Sequence, residues 1–151
     1  MKRKRLPPND PREWISRAKS NLALARSVIP DVDLEDLCFD AQQAAEKAVK
    51  SVFIKRGETF PFSHDLDRLL RLLEKNGLKI PQYVNDAREL TQYAHMTRYP
   101  RMASPVTPRE YRRAVRIAAA ARSIGPSGTS NVPDPNRSPL QCCSTSARPC
   151  S

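Results

Sequence analysis

The chain has 151 residues, 39% of them hydrophobic, which is enough for one domain with its own core. Only four are glycine, which suits helices better than an all-β fold with many tight turns. The formal net charge of +10 favours contact with polyanions or acidic partners, and no apolar run approaches the roughly 20 residues of a bilayer span.

Residues 1–10 open on Met1-Lys2-Arg3-Lys4-Arg5, and Leu6-Pro7-Pro8-Asn9-Asp10 follows in place of an apolar stretch. The segment reads as a basic flexible arm and not as a secretory leader, so the expected location is cytoplasmic. Asp10, Pro11 and Glu13 then form a capping-box-like start to a first helix. Ile15, Ala18, Leu22, Ala25 and Ile29 give it an apolar stripe. Pro30-Asp31-Val32-Asp33 ends it and caps the next.

The second helix is expected from Leu34 to Arg56, with Gly57 as its stop. Its seam is Leu34, Cys38, Ala41, Ala45, Ala48 and Val52, and Phe39, Val49 and Phe53 widen the apolar surface. A helix with two apolar faces is central in a bundle or shared with a second subunit. Asp40, Gln42, Gln43, Glu46 and Lys47 read as its solvated polar face.

Ser63 is the expected cap of a third helix, from His64 to Asn76, that buries Leu66, Leu69, Leu70, Leu72 and Leu73. A fourth starts at Pro81, turns Tyr83, Ala87, Leu90 and Ala94 to the core, and breaks at Pro100. Thr107-Pro108-Arg109-Glu110 caps a fifth that runs to Ser123. Its inner face is Tyr111, Ala114, Val115, Ala118 and Ala121. The domain thus spans residues 11–124. From Gly125 proline, serine and threonine dominate, and residues 125–151 read as a disordered tail. The expected fold is all-α: an up-and-down four-helix bundle with a short accessory helix.

Chemistry concentrates in the fourth helix. Arg88 and His95 are seven positions apart, so on a regular α-helix they share one face about 10 Å apart along the axis. Arginine can grip a phosphate through two N–H groups, and histidine can move a proton near neutral pH. The same two residues also make an ordinary polar helix face. Gln92, Arg98, Tyr99 and, from the second helix, Lys47 are candidate binding residues. Cys38 sits in an apolar helical context, while Cys142, Cys143 and Cys150 lie in the polar tail without metal-ligand spacing. No metal or cofactor is expected.

Three blocks resemble the HEPN domain family. CFDAQQAAEKAVK (Cys38 to Lys50) is similar to its second-helix motif. SHDLDRLL (Ser63 to Leu70) resembles its entry into the third helix, and ARELTQYAHMTRYP (Ala87 to Pro100) the ending of its fourth. The resemblance covers about Arg12 to Arg122. It implies a helical bundle that pairs as a homodimer, commonly encoded beside a minimal nucleotidyltransferase in a toxin–antitoxin-type pair. It further implies either of two functions. One is an interaction module that binds a nucleotide or RNA. The other is a metal-independent ribonuclease toxin with Arg88 on the scissile phosphate and His95 as general acid or base, both subunits contributing to a shared cleft. Glu89 departs from the ribonuclease motif, which carries a small polar residue after its arginine. The Arg-Tyr-Pro members of the family often have an apolar residue where His95 stands.

Overall fold

The computed structural model describes residues 3–96 and 104–124. Arg98, Tyr99 and the tail from Gly125 lie outside these residues. The elements are α1 (Pro11–Arg26), α2 (Leu34–Lys55), α3 (Leu66–Lys75), α4 (Gln82–Asn85), a 3-10 segment (Asp86–Gln92), α5 (Tyr93–Met96) and α6 (Pro108–Arg122). The chain is helical, with no strand among the described residues. No described helix is long and apolar enough to cross a membrane.

The central helix is α2, which packs against α1, α3, the 3-10 segment, α5 and α6. Its alanines explain how. Ala41, Ala44, Ala45 and Ala48 are fully buried, and their small side chains leave room for neighbouring backbones to approach. Phe53, Leu66, Leu69, Leu70, Leu73 and Leu90 fill the larger spaces, each almost wholly removed from water. Burying a leucine side chain contributes about 1.5–3 kcal/mol, so this leucine cluster is the main source of cohesion. Gly57 closes α2 as expected. It adopts φ +68°, and the following Glu58 N–H donates to Phe53 O at 2.9 Å.

Several local expectations need correction. α1 ends at Arg26, and Ile29 is 54% exposed, because Ser27 turns the chain away with its N–H on Leu24 O. Glu13 completes no capping box. Its carboxylate is taken by the Leu6 N–H at 3.1 Å and by Arg17 at 3.0 Å. In the same stretch Trp14 Nε1 donates to Pro8 O at 2.8 Å, so Leu6 and Pro8 both contact α1. The cap of α3 is Asp65, whose carboxylate accepts the Arg68 N–H, while the Ser63 hydroxyl accepts from Asp65 N. Leu72 is only partly buried, and Tyr83 is 51% exposed. At α6 the capping box is complete: Thr107 Oγ1 accepts from Glu110 N, and Glu110 Oε2 accepts from Thr107 N.

The largest difference lies at residues 82–96. One regular helix is expected there, but seven residues wind as 3-10 between two single turns of α-helix. Long-range side-chain ties account for it. Thr91 Oγ1 accepts the otherwise orphaned Leu66 N–H at the start of α3, Arg88 reaches Asp67 and Glu74 on α3, and Glu89 reaches Arg113 on α6. A 3-10 turn advances about 120° per residue against 100° for an α-helix. The segment therefore widens the angle between Arg88 and His95 from about 20° on a continuous α-helix to about 60°, which leaves both on one side.

Candidate functional site

Arg88 is a quarter exposed, and its guanidinium is fully engaged. It donates to the Asp67 carboxylate in a short contact, to Glu74 Oε2 at 3.1 Å and to Asn85 Oδ1 at 3.1 Å. The Arg88 hydrogen bond holds the Asp67 carboxyl below the usual aspartate range, and Arg71 adds to the effect. Neighbouring Glu89 makes a two-pronged pair with Arg113, at 2.7 and 2.9 Å, which lowers the Glu89 carboxyl in the same way.

His95 is exposed and has no hydrogen-bond or ion-pair partner among the described residues. Gln92 lines a small hollow of about 230 Å³ with Glu89, Tyr93, Glu110 and Arg113. Lys47 is half-buried, donates to Asn21 Oδ1 on α1, and has its ammonium pKa lowered by burial. No hydrogen bond or ion pair joins Arg88, Gln92, His95 or Lys47 to one another among the described residues. Arg98 and Tyr99, the remaining candidates, fall outside the described residues.

A polar cluster not foreseen as such lies on α2. Gln42, Glu46 and Lys50, spaced four apart, form one stripe, and all are buried. Lys50 Nζ sits 2.7 Å from Glu46 Oε1, Gln42 Nε2 donates to Glu46 Oε2 at 2.9 Å, and His64 Nδ1 lies 3.1 Å from the same oxygen. Gln42 also donates to His64 O. Burial pushes the Glu46 carboxyl up, but the Lys50 and Gln42 hydrogen bonds, the Lys50 charge and the His64 contact outweigh it, and the net direction is down. Lys50 also lies over the Phe60 ring at 5.4 Å, and Phe60 packs edge-on against Trp14. The solvated face expected on α2 is thus partly an interior polar contact between α2 and the loop before α3. Its sequence signal was the four-residue spacing inside a helix that is apolar on both flanks.

Cys38 is buried beside Tyr93, and burial pushes its thiol up to about 12, so it is an inert core residue. Among the described residues no group of three or more His, Cys, Asp and Glu could hold a metal ion.

The HEPN domain profile matches residues 11–124. The chain belongs to the HEPN domain family. A solved structure is also similar to this HEPN chain: the crystal structure of TT1696 from Thermus thermophilus, at 32% identity and a TM-score of 0.67, covering 77% of this chain and 95% of that one. Among curated proteins no match was found. The matched span holds every described candidate residue of this HEPN domain, and the tail lies beyond it.

Proposed function

We propose that the chain acts as a HEPN interaction module: a homodimer that binds a nucleotide or RNA and works with a minimal nucleotidyltransferase as one half of a toxin–antitoxin-type pair. In this reading the helices form an up-and-down four-helix bundle with α3 as the accessory element. The packing of α2 between α1 and α6 supports that arrangement. The observation that carries the functional reading is the state of Arg88. Its donors are already directed at Asp67, Glu74 and Asn85, and a guanidinium so paired has little capacity left for a scissile phosphate.

The exposed imidazole of His95 is the feature that favours the second reading, a metal-independent ribonuclease toxin. Expression of the chain alone separates the two. The module reading expects no growth arrest and no RNA breakdown from either wild type or His95→Ala. Growth arrest with RNA degradation by wild type, abolished in both His95→Ala and Arg88→Ala, would replace it with the ribonuclease. Sedimentation tests the dimer: the expected species has twice the 17.0 kDa chain mass. Co-purification with a co-expressed nucleotidyltransferase from the adjoining reading frame tests the partner.

A further inference from the structure

An open groove of about 410 Å³ runs between the end of α1 and α6, lined by Arg26, Arg109, Tyr111, Arg112, Val115 and Arg116. Arg109, Arg112 and Arg116 recur at intervals of three and four, so they form one stripe about 10 Å long on α6. Arg26, in the last turn of α1, adds a fourth cation from a second helix. Tyr111 is half-buried among them, and its hydroxyl donates to Ala25 O at 2.7 Å, which fixes the ring in place.

These four arginines differ from most of the other described arginines, although Arg5, Arg68 and Arg122 also meet no carboxylate among the described residues. Arg12, Arg17, Arg56, Arg71, Arg88 and Arg113 each meet a carboxylate within ion-pair distance. Arg26, Arg109, Arg112 and Arg116 meet none among the described residues. Glu110, the acid on their own helix, is committed to the Thr107 cap. Four uncompensated guanidiniums around one groove concentrate positive potential there. Guanidinium binds phosphate oxygens in a two-pronged fashion, and a held aromatic ring offers an apolar surface to a base. An open groove with its charges strung along one side suits a chain of phosphates better than a single enclosed one.

We propose that the α1–α6 groove binds the phosphodiester backbone of single-stranded RNA, with Arg109, Arg112 and Arg116 along the strand and Arg26 opposite. This deepens the RNA-binding part of the reading above and rests on it, but it places the contact away from Arg88 and His95. The test is fluorescence anisotropy of a labelled oligouridine with the full chain, titrated from about 50 to about 200 mM salt. Wild type is expected to bind with a steep salt dependence. Arg112→Ala/Arg116→Ala is expected to lose about tenfold or more in affinity and to flatten the salt slope by about 1.4. Lys75→Ala/Lys79→Ala, which removes equal charge at the end of α3, is expected to lose less than about threefold. Arg112→Lys/Arg116→Lys keeps the charge but not the two-pronged geometry and should recover affinity part of the way from the alanine pair to wild type, which separates a binding defect from a folding one.

Equal losses from the two alanine pairs would overturn the groove and leave RNA binding to diffuse charge. Polyglutamate that displaces the RNA as well as polyuridine does would also overturn it, in favour of an acidic polypeptide. Absence of RNA binding by wild type would remove the groove and the RNA part of the functional reading together. The dimer and the nucleotidyltransferase partner would still stand on their own measurements.

Discussion

On α2, Glu46 and Lys50 are 3% and 7% exposed and lie 2.7 Å apart; on α6, Arg109, Arg112 and Arg116 are exposed and form no ion pair among the described residues. The two regions treat charge in opposite ways. Inside, each charge requires a partner, because an ion held away from water without one costs several kcal/mol. Outside, water screens like charges, so a row of arginines costs the fold little and remains open to a ligand. Arg88 is intermediate, a quarter exposed and bound to two carboxylates that are themselves partly exposed. The Glu46–Lys50 pair on α2 therefore serves the fold, whereas Arg109, Arg112 and Arg116 on α6 have no ion-pair partner among the described residues.

The comparison can be broken by removing charges one at a time. Glu46→Ala leaves Lys50 buried without its partner and should destabilise the fold by about 3–5 kcal/mol in urea unfolding. A loss under about 1 kcal/mol would show that water reaches the α2 stripe and that the contrast with α6 is false.

Acid sharpens the same point. The folded Glu46 carboxyl lies below its ordinary value of 4.5, so its contribution is present above that pH and is lost as pH falls through the folded value. Glu46→Gln should therefore be less stable than wild type at neutral pH. The gap should narrow as the solution is acidified below about 4.5. A gap that is constant with pH would mean that the carboxylate charge contributes nothing.

Arg88→Ala should cost about 1 kcal/mol, discounted for the exposure of Asp67 and Glu74, and should raise the Asp67 pKa toward its ordinary value of 3.8. Carboxylate titration followed by NMR checks the second part. The smallest effect is expected for Arg112→Ala/Arg116→Ala, within about 0.5 kcal/mol of wild type in stability despite its effect on RNA affinity. A larger loss would show that the stripe supports the fold, and the distinction between the two regions would fail.

Much of the helical order was legible. The small-residue seam of α2, the glycine stop at Gly57 and the Thr107–Glu110 capping box are local chemistry, written within a few residues of one another. Three kinds of feature were not. Glu13 has the spacing of a capping box, yet Leu6 and Arg17 compete successfully for its carboxylate. Gln42 and Glu46 look like solvent residues until the loop before α3 folds His64 over them. The stretch Asp86–Gln92 carries a helical apolar period, but its winding follows from partners on α3 and α6 that lie 14 to 25 residues away in sequence. For the candidate site, residue types could be chosen from sequence, but which arginines are already paired could not.

Composition and spacing alone determined that this chain is helical, where most helices start and stop, and that it carries a large excess of positive charge. Those properties depend on neighbours within one or two turns. Tertiary structure decided which charges are neutralised: Arg88 against Asp67 and Glu74, Lys50 against Glu46, and no carboxylate among the described residues against Arg112 or Arg116. Ion pairing acts over a few ångströms in space, and only packing brings α3 to Arg88 and leaves the outer side of α6 open.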